Sequence, residues 1–91
     1  MLASLTELMA VEMAPGVRVN AVAPAVVKTR FAEKLYDGRE EKVAAAYPLQ
    51  RLGVPEDIGS LVAFLLSDEA SWLTGEMVVA DGGLKLAGAI E

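Results

Sequence analysis

Two short apolar runs constrain the fold most. Val-Arg-Val-Asn-Ala-Val-Ala at 17–23 and Glu-Met-Val-Val-Ala at 76–80 each read as a β-strand, with more than 50 residues between them. The intervening residues carry helical patterns. Strands this far apart, bridged by helices, pair in parallel through a crossover that is normally right-handed. The fold class that follows is α/β, with two strands of a doubly wound parallel sheet and their helices. Parallel strands are covered on both faces, and two of them do not make a stable sheet alone. The pattern therefore predicts a portion of a larger sheet, incomplete by itself.

The helical segments are punctuated clearly. Residues 2–14 place Leu2, Leu5, Leu8, Met9 and Met13 at helical spacing, with Glu12 as an acidic exception, and Pro15-Gly16 ends the run. Residues 30–36 predict a short helix stopping at Asp37-Gly38, and 39–46 another that ends before Pro48. Residues 55–66 give the clearest helix. Pro55 suits its first position, and Glu56 and Asp57 put negative charge at the positive end of the dipole. Ile58, Leu61, Val62, Leu65 and Leu66 fall on one face. A polar turn spans 67–71, and Asp81-Gly82-Gly83 closes the second strand. The last eight residues carry little signal. Between the first strand and residue 30 lies Pro-Ala-Val-Val-Lys-Thr, the kind of strand-to-helix loop on which α/β proteins bind ligands.

Composition narrows the functions. The chain is 54% hydrophobic, against roughly 45–50% for average soluble proteins. A small domain has little interior, so much of this apolar surface is expected to face something outside the chain. The net charge of −5 gives no attraction to nucleic acid or to an anionic membrane surface. Without cysteine or histidine there is no disulfide framework, no thiolate chemistry and no imidazole for metal or base work. No apolar run approaches the roughly 20 residues needed to span a bilayer. The N-terminus lacks the form of a signal peptide, so the cytoplasm is the expected location.

Residues 51–83, RLGVPEDIGSLVAFLLSDEASWLTGEMVVADGG, resemble the C-terminal part of short-chain dehydrogenases/reductases. The family writes this region as Arg-x-Gly-x-Pro-Glu-Asp, a helix with Phe-Leu-x-Ser-Asp, then Thr-Gly, a strand and Asp-Gly-Gly. Upstream, RVNAVAPAVVKT at 18–29 is similar to the family's Arg-Val-Asn-x-x-x-Pro-Gly-x-x-x-Thr, and LTELMAVEMAP at 5–15 to the helix before it. VVKTRFAEKL looks most like the carbonyl reductase and 3-oxoacyl reductase branches. The resemblance implies a Rossmann-like sheet, of which residues 1–91 would be the C-terminal fragment of one dinucleotide-binding domain. It implies NAD or NADP as cofactor, a small-molecule carbonyl or alcohol as substrate, and homo-oligomer contacts, with neither nucleic acid nor membrane as partner.

The resemblance also assigns residues. The loop after the first strand would close over the nicotinamide, with Val27 backbone bonding the carboxamide, Thr29 hydroxyl bonding the carboxamide or pyrophosphate, and Pro24 and Ala25 shaping the approach. Free N–H groups and the dipole at a helix N-terminus do favour a phosphate. Thr29 is equally suited to cap a helix beginning at Arg30, and both roles can hold together. Ala25 departs from the family's glycine, and either keeps a compatible φ or narrows the pocket by a methyl. No catalytic residue is assigned. The glycine-rich turn, the catalytic serine and the Tyr-x-x-x-Lys pair are not in this sequence, and Tyr36 and Tyr47 are followed four residues on by Glu40 and Arg51. Alignment on the family puts its lysine about two residues before Met1, on the same helix.

Other candidates have simpler expectations. Adjacent helix residues do not face one another, so Glu56 and Asp57 suit the dipole better than a two-carboxylate mechanism. Asp81-Gly82-Gly83 suits a structural turn. Trp72 is expected to pack, Met9 and Met13 to lie in a core or an interface, and Lys28, Arg30 and Lys34 to be solvated. Asn20 could bond across to a neighbouring loop or sit as a plain strand-edge polar residue. Three functions follow: a segment of an NAD(P)-dependent oxidoreductase supplying the nicotinamide loop, lid helices at 30–46 and a subunit surface; a non-catalytic interaction piece; or a gene fragment in which Met1 is an internal methionine.

Overall fold

The computed structural model describes residues 2–90. Its elements run α1 (Leu2–Met13), β1 (Ala21–Pro24), α2 (Glu33–Tyr36), α3 (Glu40–Ala44), α4 (Pro55–Leu66), β2 (Met77–Ala80) and α5 (Leu84–Ile90), with a 3-10 turn at Asp68–Ala70. β1 and β2 form a two-stranded parallel sheet, the α/β arrangement expected from the sequence. The chain divides into two compact units, one built from residues up to 23 with 60–79, the other from 24–59 with residues from 80 onward.

In the first unit, α1 buries its small residues. Thr6 and Ala10 are buried, whereas Leu5 and Leu8 are 50% and 61% exposed. The expected leucine face is therefore outward. The buried face meets the turn at Gly75, where φ is +78° and a Cβ would lie 3.4 Å from the Ala10 Cβ. An approach this close admits alanine at position 10 but not leucine. Met9 and Met13 are also exposed, so they form no core of this unit. Trp72, expected to pack, is 98% exposed. Leu66 leaves the predicted α4 face in the same way, while Leu65 is buried. The apolar surplus anticipated from composition is on the surface.

β1 is shorter than the predicted 17–23. Gly75 N–H donates to the Val19 carbonyl, and Ala21 N–H donates to the Glu76 carbonyl. A regular parallel ladder would use one residue for both bonds, so 75 and 76 together form a bulge opposite Asn20. Asn20 repairs it: its Oδ1 accepts from Glu76 N–H at 3.1 Å and its Nδ2 donates to the Leu73 carbonyl at 3.0 Å. Arg18 ends α4 by donating to the carbonyls of Leu65, Ser67 and Ala70 at 2.8, 3.1 and 2.9 Å, which satisfies groups a helix C-terminus leaves open.

In the second unit, Tyr47 and Leu52 are buried. Leu49 N–H bonds the Gly82 carbonyl at 3.1 Å. Gly83 has φ +89°, and a Cβ there would come within 2.9 Å of Pro48, so glycine is required on both counts. The segment 30–36 begins as turns rather than helix. Ala32 N–H reaches back only three residues, to Thr29, which delays α2 to Glu33. The tail, which carried little signal, forms α5. Asp81 starts it, accepting from Gly83 N–H and Lys85 N–H at 3.0 Å each. Those backbone bonds, Lys85 first, hold the Asp81 carboxyl below its ordinary range.

Candidate functional site

The four residues assigned to cofactor contact lie together on the loop that leaves β1, inside the second unit. Pro24 ends the strand and is exposed. Ala25 takes no positive φ; among the described non-glycine residues only Gln50 does, at 57°. Alanine therefore replaces glycine here without backbone strain.

The next three residues are extended and held from one side. Val26 carbonyl accepts from Gly53 N–H at 3.1 Å, and Lys28 N–H donates to the Gly53 carbonyl at 2.8 Å, giving a parallel bridge between Val27 and Gly53. Val26 N–H donates to the Tyr47 hydroxyl at 3.2 Å. In extended chain the polar groups of successive residues point to opposite sides. The polar groups of Val27 therefore point away from Gly53. Its carbonyl accepts from Thr29 N–H at 2.7 Å, and its N–H meets no partner among the described residues.

Thr29 closes the turn that precedes α2. Its Oγ1 accepts from Ala32 N–H at 3.1 Å, and its carbonyl accepts from the same N–H and from the Tyr36 hydroxyl at 3.4 Å. A hydroxyl that accepts still carries a proton to donate. The expected helix cap is therefore not formed, because residues 30–32 are turns and α2 takes Ala32 as its N-cap; the Thr29 hydroxyl closes a turn instead and keeps its own proton. Lys28 pairs with Glu40 at 3.0 Å on the surface. Both tyrosine hydroxyls are committed to this loop.

Behind Gly53 stands an ion pair the sequence did not single out. Arg51 grips Asp57 with both guanidinium nitrogens, at 2.8 and 3.1 Å. Asp57 also accepts from Val54 N–H at 2.8 Å. Val54 precedes Pro55 as the N-cap of α4, so this is the carboxylate half of a capping box, with Asp57 at the third helical position. Arg51 and the Val54 N–H hold the Asp57 carboxyl down to about 2, and Asp57 in turn raises Arg51. Asp57 keeps the place in the first turn of α4 that the sequence predicts, and its carboxylate is in addition engaged with Arg51 and Val54. Tyr47 and Gly53 also escaped prediction. The readable signals were the Val-Pro-x-Asp capping spacing and the arginine six residues before Asp57.

Asn20 belongs to the first unit and bonds across to residues 73–76, the first of its two expectations. Among the described residues, no group of three or more Asp or Glu side chains is placed to hold a metal, and no helix is long and apolar enough to cross a membrane.

A family profile described as enoyl-(acyl carrier protein) reductase matches residues 1–85. A tropinone reductase homolog of Arabidopsis thaliana is 50% identical over 74 residues, covering 80% of this chain and 28% of its own length. The crystal structure of a short-chain glucose/ribitol dehydrogenase from Brucella melitensis superposes with TM-score 0.85 at 38% identity, covering 91% of this chain and 34% of that one. The structure of ElxO with NADP bound gives TM-score 0.82 at 32% identity, over 93% and 36% of the two chains. This chain spans about a third of the length of the relatives it matches. Over nearly its whole length, then, the chain belongs to the short-chain dehydrogenase/reductase family.

Proposed function

We propose that this chain supplies the nicotinamide-side loop of an NAD(P)-dependent oxidoreductase acting on a small carbonyl or alcohol. The observation that carries this reading is the Val27 N–H. It is held out on the side opposite Gly53, two residues from a hydroxyl with a proton to give. A nicotinamide carboxamide offers an acceptor oxygen and an amide donor, and the donors of Val27 and Thr29 match that oxygen. Ala25 and Pro24 border the approach without strain. The NADP seen on the related ElxO supports the same class of ligand. When bound, the nicotinamide supplies the hydride exchanged with the substrate. The residues of this loop bind and orient the ring.

The acid/base step is not assigned here, because the Tyr36 and Tyr47 hydroxyls brace the loop. Residues 30–46 serve as the substrate lid, with Phe31 fully exposed and Leu35 53% exposed as its apolar wall. The outward leucines of α1 serve as a subunit-contact face.

The test is a titration of the isotope-labelled chain with NADP and NAD, followed by backbone amide shifts. The expected result is movement of the Val27 and Thr29 amides first and furthest, with an affinity of roughly millimolar for a partial site. Shifts centred elsewhere, or none at that concentration, would overturn the assignment.

A further inference from the structure

Resting on the assignment of residues 24–29 to the nicotinamide, we infer that Arg51 and Asp57 are positioning residues for that loop, acting through the Val54 and Gly53 backbone. The chain of contacts is continuous. Arg51 holds both oxygens of Asp57, and Asp57 Oδ2 holds Val54 N–H at 2.8 Å. Val54 follows Gly53 in the chain, so fixing its N–H fixes the peptide that carries the Gly53 carbonyl. That carbonyl accepts from Lys28 N–H, and the Gly53 N–H donates to the Val26 carbonyl. The side on which Val27 presents its N–H follows from those two bonds.

The contacts at Gly53 agree. A Cβ built there would lie 3.4 Å from Val27 Cγ2, 3.5 Å from the Val26 carbonyl and 3.8 Å from Asp57 Oδ2. The glycine sits between the carboxylate and the loop. Arg51 also donates to the Leu52 carbonyl at 3.1 Å, tying the residue before Gly53 to the same guanidinium.

The exposure of the pair separates this role from simple stabilisation. The side chains are 57% and 35% exposed. The exposed ion pair by itself adds little to stability, so what stability Asp57 contributes comes through its capping bond to Val54 N–H. A two-pronged grip does fix orientation, because two hydrogen bonds from a rigid guanidinium fork hold both carboxylate oxygens at once. What the pair supplies is direction, delivered to one backbone N–H.

The test compares D57A, D57N and R51K in the full chain, without nucleotide and then with NADP. Without nucleotide, D57A is expected to speed amide exchange at Lys28 and Gly53 by on the order of tenfold, leaving Ala21 and Gly75 as in the wild type. D57N retains an oxygen for Val54 N–H and is expected to restore most of that protection. R51K, which keeps the charge but loses the fork, is expected to fall between. With NADP, the Val27 shift should weaken in the same order. Unchanged exchange at Lys28 and Gly53 in D57A overturns the proposal, as does a uniform rise at all four amides, which marks general destabilisation. Failure of D57N to rescue also overturns it. If the wild type ignores NADP while the exchange order holds, the nicotinamide assignment falls and the positioning of the loop by Asp57 stands.

Discussion

The two parallel pairings of this chain are finished differently. At the bulge between β1 and β2, both irregular groups are satisfied: Asn20 takes the Glu76 N–H and gives to the Leu73 carbonyl. At the Val27–Gly53 bridge the supports are as elaborate, with Tyr47, Arg51 and Asp57 behind it, yet one N–H is left over. A protein that repairs a bulge with a dedicated side chain could have covered Val27 too. An irregularity that is fully satisfied does structural work. A well-braced strand that ends with a donor facing away from its brace keeps that donor open, which is what the proposed carboxamide contact uses.

The largest effect is expected on the satisfied side. N20A strands the Glu76 N–H and the Leu73 carbonyl, and should lower stability by about 1–2 kcal/mol in urea unfolding while leaving any nucleotide response at Val27 untouched. A loss of that response in N20A would blur the contrast between the two pairings. T29V, on the loop, should cost about 1 kcal/mol as a lost hydrogen bond of the turn and also weaken the Thr29 and Val27 response to NADP. T29S should retain both.

A pH series sharpens the role of Asp57. Its folded value of about 2 lies below the ordinary 3.8, so its contribution is present above about pH 4 and is lost as the pH falls through 2. The Gly53 and Lys28 amide shifts of the wild type should follow that window, and those of D57N should stay flat. The smallest effect belongs to G53A. Gly53 has no positive φ and its added Cβ meets neighbours at ordinary contact distances, so stability should change by less than about 1 kcal/mol and the bridge should persist. A large loss would mean that the bridge is held by close packing and not by the hydrogen bonds described.

The order of elements was legible because it depends on local periodicity and on punctuation such as Pro15-Gly16 and Pro55. The side each helix buries was less so. Apolar spacing marked α1 as a helix but not which of its residues are covered within the unit, and these are Thr6 and Ala10, with Gly75 approaching Ala10. α5 was missed because its Leu-Ala-Gly sequence has no polar alternation, although Asp81 was a readable start. The loop itself was marked by its place after a strand and by family resemblance. Its supports were not, since the bond from Val26 N–H to Tyr47 joins residues 21 apart and leaves no spacing pattern. Asp57 could have been found from its position three residues after an N-cap that lacks a side-chain oxygen.

Two ligands on the labelled chain separate the proposed carboxamide contact at the Val27 N–H from general binding of sugar and phosphate. Nicotinamide mononucleotide carries the carboxamide, and ribose 5-phosphate carries the same sugar and phosphate without it. The Val27 amide is expected to move with the first and to stay still with the second. Equal movement with both ligands, or none with the mononucleotide, would contradict the proposed contact.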